Sequence, residues 1–352
     1  SRVTGVGVSL APFYAGSKGY DGLMVIRPDG TLNLHTGVGN LGTHSFADTA
    51  RVAADLLGVP WEKVNVVWGD TSKHLPYTTI QAGSMTTYAT TRAIHAAATD
   101  AKRKLQEIAA QRFGGSADGY ELDDERVYRK TNRSQGMSLA AAARRAVEMG
   151  GKFDGHELPD NIHKMTVRSA GALAGQGLMG VAKDTYEEVG EPISFVVGFA
   201  TVEVDVETGQ VEILDYTAVT DCGVVVNPRS LAAQLHGGGV QGFGLALSQK
   251  WIYDPTWGVP LTQHLYTAKP PTILDVPLEM KADAVHIPDP YTPVGAKGIG
   301  EAPFSAGVGA VAAAVQDALG EKAFNRTPIM ADMILNILEN RPQPYKITTA
   351  HV

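Results

Sequence analysis

The stretch FVVGFATVEVDVETGQVEILDYTAVT, residues 195–220, decides the fold because it contains two β-rich runs on either side of a turn. The runs 195–206 and 211–220 are dominated by Val, Ile, Phe, Tyr and Thr, residue types that are enriched in strands. Glu207-Thr208-Gly209 lies between them and predicts a hairpin. Asn227-Pro228 then has the composition of a helix start, with Asn as N-cap and Pro as the first helical residue. We therefore expect antiparallel strands followed by a helix.

The rest of the chain shows the same alternation of strand-like and helix-like segments. Hydrophobic periodicity and turn residues predict strands over 3–10, 23–35 (folded back at Pro28-Asp29-Gly30) and 64–68, a small strand pair within 121–130, and helices over 45–57, 86–112, 138–149 and 306–319. This order favours an α+β fold over a doubly wound parallel sheet. We predict two related mixed sheet-and-helix subdomains, over residues 1–190 and 191–352.

Length and composition narrow the class of protein. The 352 residues are 44% hydrophobic and can bury sizeable cores, and a net charge of -7 disfavours nucleic acid as a partner. Cys222 is the single cysteine, which excludes a disulfide framework and an iron-sulfur cluster within the chain. The chain also lacks an apolar run of the roughly 18 residues that a membrane span needs. We therefore expect a cytoplasmic protein without a membrane partner, and the serine at position 1 indicates a trimmed, processed or longer original chain.

Glu301 is the strongest single candidate for a catalytic residue. It follows a glycine-hinged loop, Gly295-Ala296-Lys297-Gly298-Ile299-Gly300, and precedes Ala302-Pro303 and an alanine-rich helix. Glycines allow a loop to adopt left-handed conformations or to approach a bulky ligand closely. Such a loop can aim the carboxylate as a general base. The alternative is a solvated carboxylate that the helix dipole favours at a helix N-terminus.

Three other glycine-rich segments are candidate binding elements. Residues 37–44 (GVGNLGTH) match the spacing Gly-x-Gly-x-x-Gly, but the antiparallel setting disfavours a dinucleotide site of the βαβ type. Backbone N–H groups and hydroxyls there, and at a second corner over 83–87, can still bind a phosphate. The predicted helix after Pro228 carries five glycines over 237–244. Either close approach of a large cofactor or tight packing between elements explains them equally well.

Several common catalytic sites are disfavoured. The ten histidines show no His-Glu-x-x-His motif and no paired Cys/His spacing, so a metal bound by protein side chains is not expected. The chain contains no Gly-x-Ser-x-Gly nucleophile elbow after a strand and no Walker A loop. Simple serine hydrolysis and nucleotide hydrolysis are therefore poor interpretations.

Taken together, three segments resemble the C-terminal half of the molybdenum subunit of the xanthine oxidase/aldehyde oxidoreductase family. They are 37–44 with 81–86, 221–242, and the loop ending at Glu301, and they occur in the family's order along nearly the whole chain. The resemblance implies that Glu301 is the general base and that molybdenum is bound by a pterin rather than by protein side chains. It also implies the following cofactor-binding residues: Leu41, Gly42, Thr43, Gly83, Ser84, Gln234 and Gly300.

The same resemblance places a substrate pocket at Leu10, Phe13 and Tyr14, where the two aromatic rings could sandwich a flat substrate. The alternative is a strand end whose side chains pack into the core. One position departs from the family: Gly42-Thr43-His44 stands where Gly-Gln-Gly is usual. Either Thr43 or His44 substitutes for the glutamine, or the chemistry of the site differs.

The family's N-terminal half, with its Gly-Gly-Phe-Gly cofactor loop, has no counterpart here. The resemblance therefore implies a split subunit, similar to the medium molybdenum subunit of nicotinate dehydrogenase, whose partner chain carries the other half of the site. It further implies molybdopterin in the cytosine dinucleotide form, with the mononucleotide as an alternative, and 2Fe-2S and FAD on partner subunits.

Three functions remain open at this point. The first is a molybdenum hydroxylase that oxidises an electron-poor carbon of an N-heteroaromatic compound or an aldehyde. The second is reductive removal of a phenolic hydroxyl from an aromatic acyl-CoA, as in hydroxybenzoyl-CoA reductases of the family. The third is a non-catalytic structural half-subunit, which the Thr43-His44 departure suggests.

Overall fold

The computed structural model describes residues 1–187, 189–320, 324–343 and 345. Its strands are β1 (Arg2–Tyr14), β2 (Asp21–Ile26), β3 (Leu32–His35), β4 (Val64–Val67), β5 (Tyr120–Asp123), β6 (Arg126–Arg129), β7 (Asn132–Ser138), β8 (Leu178–Lys183), β9 (Ile193–Asp205), β10 (Val211–Asp221) and β11 (Glu279–Ala284). Its helices are α1 (Ser45–Asp48), α2 (Arg51–Leu57), α3 (Thr86–Phe113), α4 (Leu139–Met149), α5 (Lys164–Leu173), α6 (Pro228–Leu247), α7 (Leu265–Ala268), α8 (Ala302–Ala318) and α9 (Ala331–Leu338). The α+β class predicted from the sequence is confirmed.

The chain forms two compact units. One, which we call the Glu301 unit, comprises Ser1–Phe13, Ile193–His286 and Ile299–Val352. The other, the glycine-loop unit, comprises Tyr14–Pro192 and Ile287–Gly298. The chain thus passes between the units at three places besides the predicted boundary near residue 190. The first of these follows Phe13, because β1 pairs within the sheet of the Glu301 unit. The assignment of domains to 1–190 and 191–352 stays a prediction, and residues 346–352 of the second lie outside the described residues.

The Glu301 unit is built on the hairpin that the sequence predicts. Strands β9 and β10 are antiparallel, with Asp221 paired to Phe195, and β11 pairs in parallel with β10. β1 lies at the other edge of the sheet, in the order β1-β9-β10-β11. Helix α6 begins where predicted: the Asn227 side chain accepts a hydrogen bond from the Arg229 N–H, and Pro228 is the first residue. Buried side chains of α6 and α8 pack with those of the sheet to form the core.

The glycine-loop unit contains a second four-stranded sheet, in the order β4-β3-β2-β8, and a small sheet β5-β6-β7. The predicted reversal at residues 28–30 is confirmed, since β2 and β3 are antiparallel. The long helix predicted over 86–112 is α3, which buries an alanine-rich face on the sheet. The helix predicted over 45–57 is divided into α1 and α2, and between them the Thr49 hydroxyl donates to the Ser45 carbonyl at 2.6 Å. Such back-bonding by Thr competes with regular helix bonding and bends helices.

Some elements differ from the sequence-based expectation. α8 begins at Ala302, four residues before the predicted start at 306. The predicted small strand pair has a third member, β7. Helices α5 and α9 and strand β8 were not predicted, because their short apolar patterns are interrupted by Gly and polar residues. Among the described residues, no helix is both long and apolar enough to cross a membrane.

Candidate cofactor-binding site

In the glycine-loop unit, the loop over 37–44 is held against the segment over 81–86 by one side chain. The Gly39 N–H donates to Gln81 Oε1 at 2.6 Å, and Gln81 Nε2 donates to the Gly39 carbonyl at 3.2 Å. Gly42 has φ of 85° and nothing within 4 Å of the position that a Cβ would occupy. The predicted cofactor residues Leu41, Gly42 and Thr43 lie on this loop, which is therefore joined to Gly83 and Ser84 by the Gln81 amide.

Gly298 packs directly against the backbone of Ser84. A Cβ at position 298 would lie 1.6 Å from the Ser84 carbonyl oxygen, a separation that no side chain can tolerate. The segment that carries Gly298 is itself fixed: Lys297 forms a buried ion pair with Asp289 at 3.6 Å, and Arg92 of α3 donates to the Tyr291 carbonyl. The glycine at 298 is therefore required for close contact between this segment and the 81–86 corner.

Arg92 organises the interior beneath this corner. Its side chain is fully buried, and its Nε donates to the buried Asp184 carboxylate at 2.8 Å. Another guanidinium nitrogen donates to the Tyr186 carbonyl. One arginine thus connects α3 to two loops. Its role was not predicted from the sequence, where an Arg in an alanine-rich helix resembles a solvated surface residue.

The first turn of α3 offers backbone N–H groups at the same corner. Gly83 and Ser84 both have left-handed φ values, 60° and 55°, and Met85 at the N-cap makes no side-chain hydrogen bond to the helix. Thr86 and Thr87 follow as the first two helical residues. The first N–H groups of a helix lack intrahelical partners, and the helix dipole favours negative charge there. This corner therefore has the donor set for an anionic group.

His35 ends β3 immediately before the glycine loop. It is buried, and burial lowers the pKa of its imidazole to about 4. The neutral ring thus leaves the loop without a positive charge at this position. Its Nδ1 atom has no hydrogen-bond partner in the structure.

In the Glu301 unit, most glycines of α6 serve helix packing. A Cβ at Gly238 would lie 2.6 Å from Pro303 Cβ, and one at Gly242 would lie 2.6 Å from the Phe304 carbonyl oxygen. A Cβ at Gly239 would lie 2.6 Å from the ring of Tyr216 on β10. The packing explanation is therefore correct for these three. Gly237 differs because nothing lies within 4 Å of its Cβ position, so its side of the helix is open.

The same contacts bring Gln234 towards Glu301. Gly238 faces Pro303 and Gly242 faces Phe304 and Val308, so α6 and α8 run in the same direction. Gln234 lies on the face of α6 that carries Gly238, one turn or about 5.4 Å nearer the N-terminal end. Glu301 is the exposed N-cap residue of α8. The two side chains therefore lie at the same end of the helix pair, and Gly300, also exposed, precedes Glu301.

Strand geometry separates the three residues predicted for the substrate pocket. Side chains alternate along a strand, so Leu10 and Tyr14 share the exposed face of β1, where they are 60% and 52% exposed. Phe13 lies on the opposite face and packs against the core of the Glu301 unit. The structure therefore does not place Phe13 and Tyr14 on the two sides of a flat substrate ring. Phe13 instead packs against the core, which is the alternative that the sequence left open.

Comparison with known families identifies the family to which the chain belongs. Residues 1–277 match the family model described as a molybdopterin cofactor-binding domain. The chain belongs to this family. The resemblance noted from the sequence is thereby confirmed.

Relatives of this molybdopterin-binding chain are considerably longer. It is 28% identical over 299 residues to the probable hypoxanthine oxidase XdhD of Escherichia coli, covering 85% of the chain and 28% of that protein. It is 27% identical over 319 residues to the carbon monoxide dehydrogenase large chain of Hydrogenophaga pseudoflava, covering 90% and 37%. Among solved structures, quinoline 2-oxidoreductase from Pseudomonas putida 86 matches with a TM-score of 0.80 and 25% identity, covering 97% of this chain and 42% of that one. The chain thus spans well under half the length of these proteins.

The residues of the glycine-loop unit fit a molybdopterin. Gly42 leaves open space on its loop, and the first turn of α3 after Gly83 and Ser84 provides N–H donors for a phosphate. A molybdopterin does not require protein side chains on the metal. Within the described part of the chain, no group of three or more His, Cys, Asp or Glu side chains is placed to bind a metal ion.

Proposed function

We propose that the chain supplies part of the active site of a molybdenum hydroxylase. The reaction is oxidation of an electron-poor carbon of an N-heteroaromatic compound or an aldehyde: R–H and water give R–OH, two protons and two electrons. The observation that carries the proposal is an exposed carboxylate, Glu301, at the open N-terminal end of α8 in a chain of the molybdopterin-binding family. Relatives named nicotine 6-hydroxylase and aldehyde oxidoreductase support the substrate classes.

The cofactor is held by backbone and amide groups in this proposal. When bound, the molybdopterin supplies the redox chemistry of the substrate carbon. Leu41, Gly42 and Thr43 border it on one side, and N–H groups at Gly83, Ser84 and the start of α3 bind its phosphate. Gln234 presents an amide, which can donate and accept hydrogen bonds at a pterin edge. We favour the cytosine dinucleotide form of the cofactor.

Glu301 accepts a proton in this proposal. A general base must reach the proton that it removes, and the exposed N-cap position leaves the Glu301 side chain accessible. The dipole of the 17-residue helix α8 stabilises the carboxylate anion. Gly300, directly before Glu301, keeps the approach to the carboxylate free of side-chain bulk. Leu10 and Tyr14 remain our candidates for substrate contacts.

Other parts of the enzyme lie on other chains in this proposal. A partner chain carries the remaining half of the molybdenum site, and iron-sulfur and FAD subunits accept the two electrons. The relatives described above are longer, and this chain spans 28% to 37% of their length. A cytoplasmic location stays a prediction.

The test is Glu301→Gln in the complex purified with its partners. General-base catalysis contributes about 10²- to 10⁴-fold, so we expect kcat to fall at least 100-fold on a panel of aldehydes and N-heterocycles, with molybdenum content unchanged. Asp332→Asn is the matched control, because Asp332 is an exposed acid in the first turn of α9 and should be silent. Near-wild-type turnover in Glu301→Gln would remove Glu301 from the mechanism.

Wild-type metal content decides whether a catalytic site exists at all. Molybdenum near one atom per chain supports the proposal. A wild-type complex without molybdenum would instead favour the non-catalytic half-subunit suggested by Thr43-His44. Turnover only with a reduced electron donor and an aromatic acyl-CoA would establish the reductive direction.

A further inference from the structure

Arg92 makes more hydrogen bonds than a simple ion pair requires. Besides its bonds to Asp184 and Tyr186, one of its terminal nitrogens donates to the Tyr88 hydroxyl at 3.1 Å and to the Tyr291 carbonyl at 3.4 Å. The side chain is fully buried. A buried ion pair is often no more stable than apolar side chains of the same volume, so stability alone is a weak reason for such an arrangement. The bonds of Arg92 are better explained by the elements that they hold together.

The loop that carries Asp184 is fixed against α3 at more than one point. One oxygen of the Asp184 carboxylate accepts from Arg92, and the other accepts from the Tyr186 N–H at 3.1 Å. The Tyr186 hydroxyl lies 2.6 Å from His95 Nδ1, and its ring lies 5.7 Å from the Arg92 guanidinium carbon. Arg92 is therefore held in one orientation by a loop that is itself bonded to the same helix.

The segment over 289–298 is closed by its own hydrogen bonds. The Asp289 N–H donates to the Gly295 carbonyl at 2.9 Å, and the Asp289 carboxylate accepts from the Tyr291 N–H at 2.8 Å. The Tyr291 ring lies against Gly190, where a Cβ would be 2.4 Å from a ring carbon. A segment closed in this way moves as one piece. The bond from Arg92 to the Tyr291 carbonyl therefore also sets the position of Gly298 at the end of the segment.

These contacts form a closed circuit on α3. Arg92 holds Tyr291, the 289–298 segment leads to Gly298, and Gly298 packs on the Ser84 carbonyl. Ser84 directly precedes the N-cap residue of α3, and Arg92 lies about 9 Å along the axis from the first residue of that helix. The position of Ser84 is thus set from two sides, by its own chain and by a segment that Arg92 anchors.

The effect of Arg92 on this corner is geometric rather than electrostatic. Its charge is neutralised by the Asp184 carboxylate at 2.8 Å, and both side chains are fully buried. A direct attraction on an anion bound at the 83–87 corner is therefore weak. A guanidinium presents five N–H donors in a fixed planar fork, whereas lysine has a single ammonium on a flexible stem. Arg92→Lys thus keeps the charge and removes the geometry.

We propose that Arg92 is a positioning residue for the phosphate of the molybdopterin. By anchoring the 289–298 segment on α3, it fixes Ser84 and the N–H groups that follow it, and so slows release of the bound cofactor. This inference rests on the proposed function, because it assigns Arg92 a role toward the group that the corner binds there. The alternative is that Arg92 only stabilises the interior of the glycine-loop unit.

The test is the rate of cofactor release from the natively purified complex that carries Arg92→Lys. Loss of molybdenum and of pterin is followed in buffer, while circular dichroism confirms that the complex stays folded. We expect release to be faster by roughly 10- to 100-fold, the range typical when a residue that orients a binding group is lost. The measurement does not depend on turnover, so an unknown substrate is no obstacle. An unchanged rate would overturn the proposal.

Lys104→Met is the matched control on the same helix. Lys104 is also buried, and its Nζ pairs with Asp100 at 2.6 Å and donates to the Met179 carbonyl at 2.8 Å. It lies about 18 Å further along the helix than Arg92. This variant should lower the midpoint of urea unfolding and leave the release rate unchanged. Equally fast release from both variants would mean that stability alone explains the effect, and would overturn the proposal.

A double variant tests the circuit itself. Gly298→Ala opens the circuit at its other end and should also speed release, which keeps the circuit testable if Arg92→Lys does not fold. Because both substitutions break the same circuit, the double variant should release the cofactor little faster than the quicker single variant. Rates that multiply would show independent action and would overturn the proposal.

The molybdenum content of the wild-type complex separates this inference from the proposed function. A wild-type complex without molybdenum would refute the proposed function and the role of Arg92 with it. A molybdenum-containing complex whose Arg92→Lys variant releases the cofactor at the wild-type rate would refute only the role of Arg92.

Discussion

Replacing Gly298 by alanine should break the contact that joins its segment to the 81–86 corner. The new Cβ would lie 1.6 Å from the Ser84 carbonyl oxygen, whereas real Cβ contacts are almost never below 3.0 Å. The two backbones must therefore separate by about 1.4 Å. Overpacking of this kind costs typically 1–3 kcal/mol, and we expect about 3 kcal/mol because the obstacle is backbone rather than a flexible side chain.

Part of this loss is offset in the unfolded chain. Alanine reduces the conformational freedom of that state relative to glycine by about 0.4–1 kcal/mol. The net destabilisation is then about 2 kcal/mol, measured as the free energy of unfolding in urea. We also expect the molybdopterin content to fall, since Ser84 is a predicted cofactor residue.

Gly171→Ala is the matched control for this experiment. Gly171 lies within α5 of the same unit, and nothing lies within 4 Å of its Cβ position. Alanine there should stabilise the unit by up to about 1 kcal/mol through its helix propensity. If Gly298→Ala unfolded within 0.5 kcal/mol of the wild type and kept its cofactor, the steric argument would be refuted.

Three further predictions use urea unfolding as the common measurement. Gly238→Ala should lower the free energy of unfolding by about 1–3 kcal/mol, because the new Cβ would clash at the α6–α8 contact. In the control Gly237→Ala the new Cβ lies in open space, so the change should be neutral or stabilising by up to about 1 kcal/mol. Equal effects of the two substitutions would contradict the packing argument. Gln81→Leu removes both hydrogen bonds to Gly39 and should cost about 2 kcal/mol, and an unchanged midpoint would mean that the amide does not hold the loop. His35 has a pKa of about 4 in the fold against an ordinary 6.5, so the unfolded chain takes up the proton first as the pH falls. The free energy of unfolding should therefore be highest above pH 6.5 and should fall as the pH is lowered towards 4, by about 2 kcal/mol between pH 7 and pH 4.5. In His35→Leu this pH dependence should be absent.

Much of the secondary structure was predictable from residues that are close together in the sequence. The hairpin before residue 220 and the helix start at Asn227 each depend on residues that are neighbours in sequence, and both are present. The family was also predictable from the glycine segments, and the match over residues 1–277 confirms it. Residues that act through neighbours along the chain are the ones that sequence patterns reveal.

Contacts between distant segments were not predictable in the same way. Gln81 was part of a quoted motif, yet its clamp on Gly39 depends on a separation of 42 residues. The contact between Gly298 and Ser84 depends on a still longer one. A glycine that is needed for backbone approach cannot be distinguished in sequence from one that is needed for a turn. For Phe13 the sequence left a substrate contact and core packing open, and in the structure its partly buried ring packs against the core.

The glycines of α6 affect both the packing of the helices and the positions of the candidate site residues. The sequence left two explanations for them, cofactor approach and helix packing, and the structure shows packing at Gly238 and Gly242. That packing still serves the site, because a parallel, closely packed helix pair brings Gln234 to the end where Glu301 lies. A side chain at Gly238 would push the helices apart and separate the amide from the carboxylate. At Gly238, helix packing and cofactor binding are therefore linked. The close packing of α6 on α8 aligns Glu301, the candidate base, with Gln234, the candidate pterin contact.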